Sequence, residues 1–178
     1  MNYGVFDNPL ENNSQDFGYC LGVLHHITDT KEGIKNCVNK LKKGAPFLLY
    51  LYYKFDNKPL WFKVIWKISD IFRKIISRLP FRLKIIITSV IALLVYWPLA
   101  RTAFLIEKVG YSVSNFPISS YREASFYTMK TDSLDRFGTT LEKRFTKLEI
   151  LEMMEESGLK NIKFREKEPF WVMVGTKI

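Results

Sequence analysis

Apolar and polar positions change rhythm several times along this chain. Residues 16–22 form a short apolar and aromatic run that ends at Gly22, the pattern of a buried strand. Asp29 then stands as a helix N-cap, with Glu32 three positions on to close a capping box. The spacing predicts a helix to about Lys43, where Lys42 and Lys43 suit the negative helix end and Gly44 the position beyond it. Pro46 to Tyr53 is almost continuously apolar, as in a parallel strand covered on both faces. Strand, helix and strand in succession make one βαβ unit with a right-handed crossover.

The same alternation resumes near the other end. Thr146 and Glu149 read as a second capping box, with Phe145 and Ile150 as its hydrophobic staple. That helix is expected to stop at Gly158, with Leu159 in Schellman contact. Two strand-like runs follow, 161–165 and 170–175, separated at Pro169, and they are expected to pair.

Residues 55–145 do not fit this alternation. Trp61, Ile65, Ile68, Phe72, Ile75 and Leu79 recur at helical spacing, with lysines and arginines on the opposite side. Pro80 interrupts, and 85–100 is a run without a charge. A further helix is expected over Ser120–Lys130. The chain divides into 1–54, a partial α/β core; 55–130, a helical insert; and 131–178, the helix and strand pair that complete the core.

Composition supports a folded chain: 47% of its 178 residues are hydrophobic and 15% aromatic. Cys20 and Cys37 match no metal or redox spacing, which fits a reducing compartment without disulfides. The opening residues to Ser14 are polar, so no secretory leader is expected. The net charge of +9 is concentrated between Lys54 and Lys84, where nine basic residues face only Asp56 and Asp70.

The basic stripe bears on partners. A basic amphipathic helix suits anionic lipid headgroups through 60–106, or the solvated face of a lid. Trp61, Trp66 and Phe72 lie on or beside the apolar face rather than among the charges, which argues against nucleic acid. The run 85–100 measures roughly 24 Å as a helix, short of the ~30 Å hydrocarbon core, and Pro98 argues for a short segment. A buried or interfacial helix is therefore expected; a span over 85–106 stays as an alternative. A cytoplasmic location, soluble or peripheral at the membrane, follows.

The stretch Asp16-Phe17-Gly18-Tyr19-Cys20-Leu21-Gly22-Val23-Leu24-His25-His26, the later Leu41-Lys42-Lys43-Gly44, and the apolar strand ending in tyrosines occur in a telling order. That order resembles the class I S-adenosylmethionine-dependent methyltransferases of the small-molecule type 11 group. The tail from Asp135-Arg136-Phe137 through Arg144-Phe145-Thr146 to Gly158-Leu159 is similar to a subgroup of the same family. The resemblance covers roughly 1–54 and 131–178. It implies a Rossmann-like α/β fold, with this chain supplying strands four to seven, the last antiparallel.

Strands one to three, the glycine-rich turn and the ribose-binding acid of that family would lie upstream. The nine glycines here contain no Gly-x-Gly pair. The resemblance puts Gly4 and Val5 beside the adenine, and Gly4 lacks the family's carboxylate. It puts Leu21 and Gly22 beside the methionine part, His26 toward the cofactor and His25 toward the substrate. His25 reads either as a general base or as a residue that caps and lines the turn. Tyr52 and Tyr53 either line a substrate pocket or pack under the insert. Asp135 and Arg136 either touch substrate or pair locally. No metal is expected, because the turn lacks the carboxylates of metal-binding relatives.

The implied function is methyl transfer from S-adenosylmethionine to a small-molecule or lipid-linked acceptor. The chain by itself is expected to be a truncated, inactive fragment that binds the cofactor poorly. The alternative is a non-catalytic membrane-surface or partner-binding protein on the same half fold. The strand at 16–22 would then be an unpaired edge open to self-association.

Overall fold

The computed structural model describes residues 4–167 and 171–178. The expected strand break at Pro169, and Phe170 beside it, lie outside the described residues. The chain forms two units: Met1–Asp56 with Leu141–Ile178, and Asn57–Thr140. The helix α5 described below runs across the 130/131 boundary drawn from the sequence.

In the first unit, β1 (Gly18–Leu21) pairs in parallel with β2 (Pro46–Tyr50). Between them runs α1 (Thr30–Lys40), where the Asp29 carboxylate accepts from the Glu32 N–H. This helix stops at Lys40 rather than near Lys43. Buried Leu41 turns out of helical conformation and bridges to Gln15, and Gly44 takes the left-handed turn beyond at φ +82°. Strand β2 is likewise shorter than the apolar run, ending at Tyr50; Tyr53 makes an isolated parallel bridge to Phe145.

The last helix, α6 (Lys147–Glu156), carries the full capping box between Thr146 and Glu149. Strands β3 (Leu159–Phe164) and β4 (Val172–Lys177) pair antiparallel, as the sequence suggests. β4 also inserts beside β2, antiparallel to it, so the sheet order is β1-β2-β4-β3. The fold is thus α/β with a mixed four-stranded sheet whose last strand is antiparallel.

Phe47, Leu49, Ile34, Val38, Ile150 and Met154 share one core, so α1 and α6 cover the same face of the sheet. The expectation of a strand covered on both faces is corrected. Leu48 and Tyr50 on the other face of β2 are only half-buried, and their neighbours in β1, Tyr19 and Leu21, are exposed at 68% and 48%. Gly18 lets the inner face pack closely: a Cβ there would stand 2.9 Å from Leu41 and 3.1 Å from Phe47, so those side chains would have to shift.

The second unit is helical. α2 (Leu60–Ile76) starts after Pro59, which cannot donate a backbone hydrogen bond. Pro80 opens α3 (Phe81–Ile91), which passes through a π-turn (Ala92–Tyr96) into α4 (Trp97–Lys108). The expected short segment is corrected: the helix is continuous over 28 residues. Pro98 falls in the first turn after the π-turn, where the shifted hydrogen-bond pattern tolerates its missing N–H. The helix expected over Ser120–Lys130 is instead α5 (Phe126–Gly138), because Ser125 provides the cap by accepting from the Thr128 N–H. Ile76, Tyr96, Ala100, Met129 and Phe137 form this unit's core.

Candidate functional site

The turn after β1 is built from backbone outward. Gly22 sits at φ +72°, a conformation that favours glycine, and its N–H donates to Tyr50 O at 3.1 Å. A Cβ on Gly22 would meet only Tyr50, at 3.9 Å, so the backbone there is open to close approach. A short 3₁₀ turn, Leu24–His26, follows and lies hard against α1. Gly33 of α1 makes this possible, since a Cβ there would stand 2.5 Å from Ile27 and 3.1 Å from Leu24. Thr30 fixes the same turn by donating to Leu24 O at 2.8 Å.

The two histidines differ in environment. His25 is 0% exposed, and neither ring nitrogen has a hydrogen-bond partner among the described residues. Its ring stacks on Tyr52 at 3.7 Å between centroids. Burial holds its pKa far below the usual imidazole range, at about 3, with the neighbouring His26 and the Arg144 guanidinium acting in the same direction. His25 is therefore a neutral imidazole at physiological pH. The ring of His26 is half-buried, with Nδ1 2.8 Å from Leu141 O. A carbonyl only accepts, so Nδ1 carries the proton and Nε2 is left as an acceptor when the ring is neutral.

A strap, 141–145, closes over this turn, and the sequence reading assigns it no role in the site. Lys143 N–H donates to His25 O at 2.9 Å, and Phe145 N–H to Tyr52 O at 3.0 Å. Arg144 lies 5.1 Å from the Tyr52 ring centre and 4.9 Å from that of Phe55. It pairs with Glu142 at 2.9 Å, whose side chain is 1% exposed, and donates to Tyr53 O at 3.3 Å. A buried glutamate and arginine beside a neutral histidine make a polar cluster at the ends of β1 and β2. The one sequence signal for it was the Glu-Lys-Arg-Phe run itself, which binary patterning treats as a loop.

The residues singled out from sequence separate in space. Leu21, Gly22, His25, His26 and Tyr52 come together at this end of the sheet. Tyr53 points the other way, its ring against Phe55 at 4.6 Å and Trp171 at 6.2 Å, as expected of successive residues in extended chain. Val5 packs on α1 near Gly33, 3.6 Å from where a Cβ would be. Asp135 and Arg136 belong to the second unit, on α5. There Arg136 engages Asp70 at 3.8 Å and Ser69 at 3.3 Å, and covers the Trp66 ring at 5.4 Å.

Tested against S-adenosylmethionine, these residues fit one side only. Gly22 offers open backbone, and His26 offers a polar atom. Gly4 brings no carboxylate for the adenine, and the chain has no Gly-x-Gly turn. Among the described residues, no cluster of three or more His, Cys, Asp or Glu is set to hold a metal.

No protein-family model matches this chain, and no curated protein matches it. Among solved structures it is similar to an S-adenosylmethionine-dependent methyltransferase from Thermotoga maritima, at 13% identity and a TM-score of 0.46. That match covers 100% of this chain and 63% of the other. It is also similar to such a methyltransferase from Methanosarcina mazei, at 12% identity and a TM-score of 0.46, covering 99% and 65%. The chain thus spans less than two thirds of either protein. With TM-scores under 0.5, this likeness carries no functional argument.

Proposed function

We propose that the first unit is part of a class I S-adenosylmethionine-dependent methyltransferase and forms one wall of its cofactor site. The acceptor would be a small molecule or a lipid-linked group. One observation carries this reading: the open, left-handed Gly22 at the end of β1 leads directly into the His25–His26 turn. The order of motifs in the sequence and the antiparallel last strand support it as well. Bound there, the cofactor would supply an electrophilic methyl group.

The chain's own contribution is positional, and alignment of donor and acceptor supplies much of the rate in such transfers. The Gly22 backbone would lie against the methionine part. His25, buried and neutral with both ring nitrogens shielded, would support the turn from beneath rather than meet the acceptor. Tyr52 stacks on its ring, and Arg144 lies over Tyr52 in turn. Calorimetry of residues 1–178 with S-adenosylmethionine tests the reading of a single wall. The expected result is no binding tighter than millimolar. Stoichiometric micromolar binding would mean that a complete site exists.

A second reading, a non-catalytic membrane-surface or partner-binding protein, is favoured by the exposed apolar residues of β1 and of α2. It predicts that S-adenosylmethionine contacts neither Gly22 nor His26 at any concentration.

A further inference from the structure

The second unit is built inside out for a protein in water. On α2 a charged cluster is turned inward beside Ile76. Arg73 is 4% exposed, pairs with Asp70 at 2.7 Å and donates to Thr139 O at 3.0 Å, while Arg136 of α5 adds a third charge. The outward stripe is apolar: Trp61, Val64, Ile65, Ile68, Phe72 and Ile75 recur at helical spacing and are all about half exposed or more.

The long helix Phe81–Lys108 shows the same inversion. Its buried column is Thr88, Ala92, Tyr96, Ala100 and Ala103, mostly small or polar, while Ile86, Val90, Leu93, Leu94 and Leu105 face outward. Thr88 O accepts from Ser133 Oγ of α5 at 2.9 Å. Water drives large aliphatic side chains inward. Helices in lipid do the reverse: small and polar residues make the helix contacts, and large apolar ones face the acyl chains.

Charge and connectivity then choose the mode of binding. Lys67, Lys74, Arg78 and Arg82 are exposed, and the one acid in 57–84, Asp70, is turned inward. Such a surface complements an anionic leaflet. The chain leaves and re-enters the first unit side by side, since Tyr53 bridges to Phe145. Any crossing of a bilayer would therefore need a second one back. The 28-residue helix is long enough to cross. However, α2 carries Lys63, Lys67, Asp70, Arg73 and Lys74, and α5 carries Lys130, Asp132, Asp135 and Arg136, so neither can make the return.

We propose that residues 57–140 form a monotopic membrane module whose α2 and α3–α4 outer faces lie in one anionic phospholipid leaflet. The exposed lysines and arginines meet the phosphates. This rests on the second unit and on the paired chain ends that lead into it, and is independent of the cofactor reading.

Flotation of the full chain tests it, using vesicles of phosphatidylcholine alone or with about one third phosphatidylglycerol. The chain is expected to float with the anionic vesicles and to lose binding at least about tenfold in I68D/F72D, which puts charge into hydrocarbon. Because that variant can misfold, the wild-type chain supplies a second readout. Acyl-brominated lipids should quench its tryptophan fluorescence, and W61F should lose much of that quenching. Failure to float, with a defined oligomer in lipid-free solution, would assign the apolar faces to a second copy and overturn the proposal. A protease-protected fragment of the long helix extending across sealed vesicles would overturn the single-leaflet geometry.

Discussion

His25 turns its burial into a pH dependence. The folded chain holds its imidazole neutral down to about pH 3, while an unfolded histidine takes up a proton near 6.5. Between these values the unfolded state binds the extra proton, so stability is lost as pH falls from about 6.5. The expected slope is about 1.4 kcal/mol per pH unit for this one group. Urea midpoints between pH 6.5 and pH 5 read it before the carboxylates titrate. His25→Gln should flatten the slope by one proton, whatever it does to absolute stability; parallel slopes would show that His25 is solvated. Cys37 adds a second check on the same core, because burial pushes its thiol up to about 11. It should react with a disulfide reagent at pH 8 far more slowly in the folded chain than in urea, and equal rates would mean an open core.

At the scale of elements, caps decide where helices begin. In α6 the Thr146 hydroxyl accepts from Glu149 N–H at 3.2 Å while the Glu149 carboxylate accepts from Thr146 N–H at 2.7 Å. Thr146→Ala is expected to destabilise the first unit by about 1 kcal/mol, as measured by urea unfolding. The Asp29 and Thr146 caps were legible in the sequence because a cap is a local pattern of two or three residues. For the same reason the βαβ unit and the final strand pair could be read directly. The ends of elements were harder to place. Leu41 leaves α1 early because the core and a bridge to Gln15 claim it, and both are non-local. Pro98 reads as a break, yet a π-turn two to six residues upstream accommodates it. Ser125 is an ordinary cap, hidden among the serines and tyrosine of the preceding turn. The amphipathic period of α2 was legible too, but periodicity does not say which face points outward; the Arg73–Asp70–Arg136 cluster does.

At the scale of the molecule, the chain joins a mixed four-stranded sheet covered by α1 and α6 to a helical unit with exposed apolar faces. The sequence placed His25, His26, Gly22 and Tyr52 at one end of the sheet, and they meet there. It did not find Glu142 and Arg144, because the strap that carries them joins the site only through tertiary bonds to His25, Tyr52 and Tyr53. Asp135 and Arg136 follow the opposite course: neighbours in a family-like tail, they fold into the second unit. A cofactor wall at the turn from Gly22 to His26 must respond to the cofactor itself. Amide NMR of the full chain, titrated with S-adenosylmethionine to millimolar concentration, tests it most directly. Progressive shifts confined to Leu21, Gly22 and His26 are expected, short of saturation, with residues 57–140 unchanged. Shifts scattered over the chain, or none at Gly22 and His26, would contradict it.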